Sequence, residues 1–239
     1  MKKNILITGA SGGIGGAIAR KLAGEGYSLY LHYYKNQTAI EVLLEQLRPF
    51  DGEYLPIQAD LTTIAGYQKV CKHIFQVDGI IHNCGLSHYG VFQDMTEEEI
   101  QRLSMIHVIS PMLLTKTLLP KMLNSGGSII MISSIWGQTG AACEVAYSTM
   151  KGAQLAFVKA LAKEVARNKI TVNAIAPGAV NTKMMATFQT AEIAAIKEEI
   201  PIGRLAEPTD IANCVSFLLS NKASYITGQT IAINGGWYV

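Results

Sequence analysis

Short apolar runs alternate with segments of helical periodicity along this chain, and this alternation constrains its fold most. Strands buried on both faces of a sheet appear as continuous apolar runs. Seven such runs predict strands at residues 4–8, 28–33, 54–58, 79–83, 128–133, 171–176 and 230–233. Apolar residues at helical spacing predict helices at 14–23, 38–47, 63–75, 97–123, 145–165 and 209–219. Because helices that join parallel strands cross over with one hand, we expect an α/β fold with a doubly wound parallel sheet and helices on both faces.

Composition narrows the class of protein further. The 239 residues are 49% hydrophobic, enough for the core of a single domain, and no repeat or composition shift divides residues 1–239. The formal net charge is only +2, so no broad basic surface is expected and nucleic acid is excluded as a partner. The four cysteines form no C-x-x-C pair, which argues against a metal site and favours a cytoplasmic location. We expect no membrane span, since no run approaches 18 apolar residues.

One long segment, residues 181–200, separates the sixth predicted strand from the last predicted helix. Met184, Met185 and Phe188 give it apolar side chains. Two interpretations remain open: a mobile lid that closes over a ligand, or an ordinary packed helix.

A glycine-rich loop follows the first predicted strand and opens the first predicted helix. It contains Gly9, Ser11, Gly13, Ile14 and Gly15. Glycines let the backbone turn tightly and approach a pyrophosphate, whose charge is attracted by the amides of a helix N-terminus. The spacing differs from G-x-G-x-x-G, but the position between strand and helix predicts a dinucleotide site.

The end of the second predicted strand indicates which nicotinamide cofactor binds. A carboxylate there accepts the ribose hydroxyls of NAD and repels the 2′-phosphate of NADP. Lys35 and Asn36 follow this strand, and no acid occurs before Glu41. We therefore predict NADP(H), with Lys35 as the cation that meets the phosphate. Asp60 and Leu61, after the third strand, are expected at the adenine, although a solvated turn aspartate is the alternative.

Several further motifs, taken in order, resemble the short-chain dehydrogenase/reductase family over nearly the whole chain. They are the loop at residues 8–15, the Asn83-Cys84-Gly85 turn, Ser134, Tyr147 with Lys151, Pro177-Gly178 with Thr182, and the tail at 200–236. The nearest group is the bacterial 3-oxoacyl-carrier-protein reductases. The resemblance implies a Rossmann-type fold, a homotetramer, ribose contacts by Asn83 and Gly85, and nicotinamide contacts by Pro177, Gly178, Val180 and Thr182. Cys84 replaces a usual alanine, and we expect a buried structural thiol.

Tyr147 and Lys151 are four residues apart in a predicted helix, so their side chains share a face. Ser134 leaves the fifth strand at the sheet edge where such folds bind ligands. Ketone reduction needs a proton donor, and a nearby ammonium lowers the pKa of a tyrosine from its usual value of about 10. We expect Tyr147 to donate the proton, Lys151 to be its electrostatic partner and a ribose ligand, and Ser134 to hold the carbonyl oxygen. The alternative is a tyrosine and a lysine exposed on a helix.

His107 departs from the family pattern. The family usually has an asparagine in the helix after the fourth strand, where it anchors a water that relays protons to the lysine, and alignment places His107 there. A neutral imidazole can carry the same water, although an ordinary pKa of about 6.5 would charge it in mild acid. A packed core histidine and lost catalysis are the alternatives.

Residues 133–140 with Cys143 and Glu144 resemble, within that family, the reductases that convert 5-aminopentanone on a lysine of elongation factor P to 5-aminopentanol. Glu144 suits a substrate with a cation, such as an amine, although a solvated glutamate at a helix start is the alternative. We expect Trp136 to form an apolar wall or a subunit contact, and Met184 to border the substrate. The other candidate functions are reduction of a 3-oxoacyl thioester on acyl carrier protein and a non-catalytic NADP-binding scaffold.

Overall fold

A computed structural model describes residues 2–183, 185 and 188–239. Within these residues, seven parallel strands form one sheet in the order β3-β2-β1-β4-β5-β6-β7. The strands are β1 (Asn4–Ile7), β2 (Ser28–Tyr33), β3 (Tyr54–Gln58), β4 (Gly79–His82), β5 (Gly127–Ile132), β6 (Ile170–Pro177) and β7 (Thr230–Ile233). The predicted seven-stranded, doubly wound parallel sheet is confirmed.

The helices connect these strands and cover the sheet. They are α1 (Gly13–Gly24), α2 (Gln37–Leu47), α3 (Ile64–Lys72), α4 (Glu97–Ser104), α5 (Ser110–Leu118), α6 (Trp136–Thr139), α7 (Val145–Val165), α8 (Thr190–Glu199) and α9 (Pro208–Leu219). The prediction of one helix over residues 97–123 is wrong in detail. A π-helical turn, Met105–Ile109, separates α4 from α5, and a 3₁₀ turn, Leu119–Lys121, follows.

The core lies in two layers because successive side chains of a strand point to opposite faces of the sheet. Ile5 and Ile7 of β1 belong to the cluster that packs under α1, α2 and α9. Leu6, between them, belongs to the cluster that packs under α3, α5 and α7. Helices therefore cover both faces, as predicted.

The helical run Glu97–Lys121 is long and apolar enough, by length and composition alone, to cross a membrane. About 44% of its most apolar window is buried inside the fold, where it contacts α3 and α7. A core helix of a soluble protein passes the same test. The expectation that the chain has no membrane span therefore stays a prediction.

The parallel order places the carboxyl ends of all the strands at one edge of the sheet. The chain order reverses between β1 and β4, which are neighbours in the sheet although β2 and β3 separate them in sequence. Open sheets of this kind bind ligands at such a reversal point. The glycine loop follows β1, Asn83 follows β4 and Ser134 follows β5, so the predicted site residues meet at this edge.

Candidate active site

The glycine loop between β1 and α1 has the shape that a dinucleotide pyrophosphate needs. Gly9 has a φ of +71°, and a Cβ there would lie 3.0 Å from the Cα of Cys84. A Cβ at Gly15 would lie 2.2 Å from the Gly9 carbonyl oxygen. Gly12 precedes α1 and has no side chain with which to cap it, so the first amides of α1 are open to an anion. The loop therefore fits the predicted cofactor.

The loop is held against the end of β4 by Asn83. The Asn83 Nδ2 donates to the carbonyl oxygens of Thr8 at 3.0 Å and of Gly9 at 3.2 Å. The Thr8 hydroxyl in turn accepts from the backbone N–H groups of Asn83 at 2.9 Å and of Cys84 at 3.1 Å. Asn83 therefore positions the loop itself, in addition to the ribose contact that was predicted for it.

His32, which was not predicted as a site residue, fixes the other side of the loop. Its Nδ1 accepts from the Gly9 N–H at 3.1 Å, so its Nε2 carries the proton that it donates to the Ala59 carbonyl oxygen at 3.1 Å. Burial lowers the pKa of His32 to about 4, against smaller opposing effects of Ala59 and Asp60. The ring is neutral near pH 7 and joins the ends of β1, β2 and β3.

The end of β2 carries the residues predicted to select NADP(H). Lys35 is exposed, with its Nζ 5.2 Å from the centre of the Tyr34 ring. The Asn36 side chain caps α2 by accepting from the Ala39 N–H at 3.2 Å. A cation and a helix N-terminus thus lie together where a 2′-phosphate is expected.

Asp60 follows β3, and its carboxylate accepts from the backbone N–H of Thr62 at 2.9 Å and the hydroxyl of Thr62 at 2.7 Å. Burial raises the pKa of Asp60, but hydrogen bonds from Thr62 and Tyr34 outweigh it and hold that pKa below its usual range. Leu61 beside it is 2% exposed, and its carbonyl oxygen accepts from the Ser110 hydroxyl at 2.7 Å. Contacts of Asp60 and Leu61 with an adenine stay predictions.

A cleft of about 490 Å³ opens at the carboxyl ends of β4, β5 and β6. It brings together most of the predicted catalytic, nicotinamide and substrate residues. These are Ile14, Asn83, Gly85, His107, Ser134, Trp136, Glu144, Tyr147, Lys151, Pro177, Gly178, Val180 and Thr182. Met184, which was predicted to border the substrate, lies outside the described residues.

Helix α7 is held close to β5 where it carries Lys151. The Ser133 hydroxyl donates to the Lys151 carbonyl oxygen at 3.0 Å. Gly137 of α6 packs against the same residue so closely that a Cβ would lie 2.7 Å from the Lys151 carbonyl carbon. These two contacts fix how far along β5 the Tyr147 and Lys151 side chains lie relative to Ser134.

Tyr147 and Lys151 share a face of α7, with the Lys151 Nζ 5.5 Å from the centre of the Tyr147 ring. The expectation that the pKa of Tyr147 is lowered is wrong for the chain without ligand. Burial raises this pKa to about 12, Glu144 adds to the increase, and only the Ser134 hydroxyl opposes it. Tyr147 therefore keeps its proton throughout the neutral range.

Lys151 is only 5% exposed, and its Nζ donates to the Ile132 carbonyl oxygen at 2.9 Å. Burial lowers the pKa of Lys151 to about 7, with a weaker opposing effect of Cys84. The side chain thus gains and loses a proton near neutrality, which is the property of a group that exchanges protons.

His107 lies in the π-helical turn, and Pro111 explains this turn. Proline has no N–H to donate to the carbonyl oxygen four residues earlier, and the Gln154 Nε2 donates to the His107 carbonyl oxygen at 2.8 Å instead. The ring meets the Tyr147 ring edge-on at 5.5 Å, and its Nε2 lies 2.7 Å from the Leu86 carbonyl oxygen. The Nδ1 is buried and has no hydrogen-bond partner within the described residues.

The expectation that His107 becomes charged in mild acid is wrong. Burial, with the charge of Lys151, lowers the pKa of His107 to about 3, and the hydrogen bond to Leu86 opposes this only in part. The imidazole is therefore neutral near pH 7 and in mild acid. Its Nε2 lies 2.7 Å from the Leu86 carbonyl oxygen and 3.2 Å from the Leu86 N–H, and the shorter contact favours the proton on Nε2, which leaves the orphaned Nδ1 as an acceptor.

Trp136 and Glu144 line the substrate side of the cleft. The Trp136 ring packs edge-on against Trp237 at 5.4 Å between ring centres. Glu144 precedes α7 but makes no capping hydrogen bond with its side chain, and burial raises its pKa. Two residues that were not predicted, Trp237 and Glu199, also line the cleft.

Segment 181–200 borders the same cleft through Thr182, Met185 and Phe188, and through Ile196 of α8. Thr182 also touches the glycine loop, since a Cβ at Gly13 would lie 2.9 Å from its Cγ2. Closure of this segment as a lid stays a prediction.

The cleft combines a loop that fits a pyrophosphate with a serine, a tyrosine and a lysine. This combination defines a nicotinamide-dependent oxidoreductase. A family model described as enoyl-(acyl carrier protein) reductase matches residues 9–238. The chain belongs to the short-chain dehydrogenase/reductase family, so the predicted family and enzyme class are confirmed.

Individual relatives agree with this assignment. The chain is 53% identical to YmfI, an uncharacterized oxidoreductase of Bacillus subtilis, over 100% of both chains. It is 34% identical to FabG, a 3-oxoacyl-[acyl-carrier-protein] reductase of Staphylococcus epidermidis, also over 100% of both. The solved structure of the angucycline C-6 ketoreductase LanV with bound NADP superimposes with a TM-score of 0.92 at 27% identity, covering 98% of this chain and 94% of LanV.

Proposed function

We propose that this chain uses NADPH to reduce 5-aminopentanone, carried by a lysine of elongation factor P, to 5-aminopentanol. The observation that carries the proposal is the charge of the cleft. Glu144 and Glu199 both line it, whereas Lys151, the single lysine or arginine among the described lining residues, is buried at its floor. A negatively charged cleft favours a substrate with a cation, such as this amine.

NADP(H) is the proposed cofactor. Lys35 without a neighbouring acid at the end of β2, and the NADP bound by LanV, support this choice. Ser11, Gly13 and Ile14 would hold the pyrophosphate through the amides of the loop and of α1. The contacts proposed for the ribose and the nicotinamide are those of Asn83 and Gly85, and of Pro177, Gly178, Val180 and Thr182. The reduced nicotinamide would supply a hydride to the ketone carbon.

Ser134, Tyr147 and Lys151 would handle the oxygen and its proton. The Ser134 hydroxyl donates a hydrogen bond to the ketone oxygen, and Tyr147 transfers its proton to that oxygen as negative charge develops there. A pKa of about 12 for Tyr147 still makes it a stronger acid than water, at about 15.7. The Lys151 ammonium then stabilises the phenolate and returns a proton to it.

His107 would act as a positioning residue for the water that connects Lys151 to solvent. Its buried acceptor Nδ1 and its position beside Tyr147 support this role. We expect His107→Asn to keep the rate and the pH profile of the wild type. His107→Leu should lower kcat increasingly above about pH 7, where Lys151 needs reprotonation, and leave KM unchanged. Equal pH profiles for the leucine variant and the wild type would contradict the role.

Reduction of a 3-oxoacyl thioester on acyl carrier protein is the second candidate. Full-length identity of 34% to a FabG reductase supports it. The two carboxylates of the cleft weigh against it, because an acidic carrier protein would favour a basic surface near the mouth.

A direct comparison of substrates tests the proposal. NADPH oxidation is followed with aminopentanone-modified elongation factor P and with acetoacetyl carrier protein at equal concentrations. We expect a higher kcat/KM for the modified factor, and we expect Glu144→Gln to raise its KM while Glu98→Gln, an exposed control on α4, leaves it unchanged. Preference for the carrier-borne thioester would establish the second candidate, and absence of turnover with any ketone would indicate a non-catalytic NADP-binding scaffold.

A homotetramer and a cytoplasmic location complete the proposal. Ile109 and Met112 near α5 and Val145 of α7 are at least 40% exposed, and Tyr225 near the C-terminal strand is fully exposed. Apolar side chains at such positions suit contacts between subunits. Sedimentation equilibrium of the purified protein tests the tetramer, and a monomer at all concentrations would contradict it.

A further inference from the structure

Three residues from distant parts of the chain meet at the outer wall of the cleft. Glu199 is the last residue of α8, Trp237 lies near the C-terminus, and Trp136 opens α6; all three line the cleft. The Trp237 Nε1 donates to the Glu199 Oε2 at 3.2 Å. The two indole rings meet edge-on, 5.4 Å apart with 65° between their planes.

The Glu199 carboxylate has no cationic partner in this wall. The ion pairs found within residues 2–183, 185 and 188–239 include neither Glu199 nor Glu144. The Trp237 N–H contacts only one Glu199 oxygen, so the second oxygen is available to a ligand. His88, also in the cleft, already lies 3.7 Å from Glu99.

The indole pair is a second feature that suits a positive ligand. A cation is attracted to the face of an indole ring, and tryptophan is the best of the aromatic side chains in this respect. Both rings are half-buried, which strengthens the attraction because less water competes for the cation. Deeper in the same cleft, the buried Nδ1 of His107 has no hydrogen-bond partner among the described residues, which indicates room for a polar ligand there.

We propose that Glu199, Trp136 and Trp237 form a subsite for an ammonium group of the substrate. This inference rests on the proposed function and extends it, since it assigns substrate selection to a carboxylate other than Glu144. Glu144 lies at the start of α7, three residues before Tyr147, and both line the cleft, so Glu144 is the carboxylate on the side of the reacting ketone. Glu199 holds the positive group at the outer end of the substrate chain.

Two synthetic ketones test the subsite directly. One is a methyl ketone with a trimethylammonium group three methylenes from the carbonyl, which cannot cyclise or lose its charge. The other is its neutral isostere with a tert-butyl group. We expect the wild type to show the lower KM with the cationic ketone. Glu199→Gln should raise that KM about three- to fivefold and leave kcat, and both constants for the neutral ketone, unchanged.

The variant is designed to remove the charge alone, since glutamine can still accept from the Trp237 N–H. Glu198→Gln, an exposed neighbour outside the cleft, is the matched control and should behave as wild type. Trp136→Leu should also raise the KM of the cationic ketone more than that of the neutral one. Equal effects of Glu199→Gln on both ketones, no effect on either, or the same effect from Glu198→Gln would overturn the subsite.

The outcome for the subsite can be separated from the outcome for the proposed function. If the wild type prefers the cationic ketone through Glu199 but does not reduce modified elongation factor P, the subsite stands and the proposed substrate is wrong. If it reduces the modified factor while Glu199→Gln leaves the preference between the two ketones unchanged, the proposed function stands and the subsite is wrong.

Discussion

Replacement of Lys151 by methionine should stabilise the protein without cofactor, by an amount that depends on pH. Lys151 is 5% exposed, and burial lowers its pKa from 10.5 to about 7. A change of this size corresponds to about 5 kcal/mol of unfavourable free energy in the folded state when the ammonium is fully charged. Methionine fills similar space and carries no charge, so Lys151→Met removes this cost.

Two effects determine the net change. The variant also loses the hydrogen bond from the Lys151 Nζ to the Ile132 carbonyl oxygen, and a buried carbonyl without a partner costs about 1–3 kcal/mol. At a pH below 7 we therefore expect the free energy of unfolding to increase by about 2–4 kcal/mol in the variant. Loss of the hydrogen bond does not depend on pH, whereas the cost of the charge does.

The sign of the pH dependence follows from the two pKa values. Below about pH 7 Lys151 is protonated in both states, and the folded state bears the full cost. Between about 7 and 10.5 only the unfolded chain keeps the proton, so the wild type gains about 1.4 kcal/mol per pH unit relative to the variant. The advantage of Lys151→Met should thus shrink by about 2.5 kcal/mol between about pH 6.5 and pH 9.

Urea denaturation of both proteins at these two pH values measures the difference. All other titrating groups are present in both proteins and cancel. Lys159→Met, at an exposed position of α7, is the control and should show a difference that is near zero at both pH values. A stability difference for Lys151→Met that does not change with pH would refute the reasoning, because the lysine would then have an ordinary pKa.

Three further substitutions test other parts of the site. Tyr147→Phe should lower turnover about 10²- to 10⁴-fold and keep NADPH affinity in a fluorescence titration; near-normal turnover would exclude Tyr147 as the proton donor. Lys35→Ala should weaken NADPH binding about tenfold without changing the affinity for NADH, and an equal loss for both cofactors would contradict the predicted phosphate contact. His32→Phe leaves the Gly9 N–H and the Ala59 carbonyl oxygen without their partner, and should cost about 1–3 kcal/mol of stability in urea; an unchanged urea midpoint would show that the ring does not hold the loop.

The sheet could be predicted from sequence because its signal is local. Each strand is a short apolar run, and the structure gives strands at all seven predicted runs with bounds that shift by at most one residue. The break in the predicted helix over 97–123 also has a local cause in Pro111. Pro111 falls inside the predicted run, and a proline cannot donate to the carbonyl oxygen four residues earlier. The sequence therefore carries a signal for this break, which apolar periodicity alone does not show.

The electrostatics of the site could be predicted only in part, because burial depth is not visible in sequence. The spacing of Tyr147 and Lys151 correctly indicates that the side chains are close, and a charge pair at this distance favours the ionised tyrosine. Desolvation acts in the opposite direction and is the larger effect for both groups. The same reason explains His107, whose pKa is lowered by burial.

Contacts between distant parts of the chain leave no trace in a single sequence. Glu199 and Trp237 are separated by 38 positions, and nothing in the residues between them indicates a hydrogen bond. His32 lies within an apolar strand, where a polar residue could equally face solvent or a partner. Only the assembled sheet shows that its ring lies between the glycine loop and β3.

Some of the polar groups that cost this protein stability lie at the reacting position. Lys151 is buried without a carboxylate, and the His107 Nδ1 and the Gln154 Oε1 are buried acceptors without partners in the described structure. Each raises the free energy of the folded chain by leaving charge or hydrogen-bonding capacity unused. Such groups persist at sites where a ligand or a reaction uses them. Of these side chains, Lys151 and His107 line the cleft, whereas Gln154 and the other side chains with orphaned atoms, Tyr54, His82 and Thr230, do not. Lys151 and His107 are therefore the positions where this fold gives up stability for chemistry.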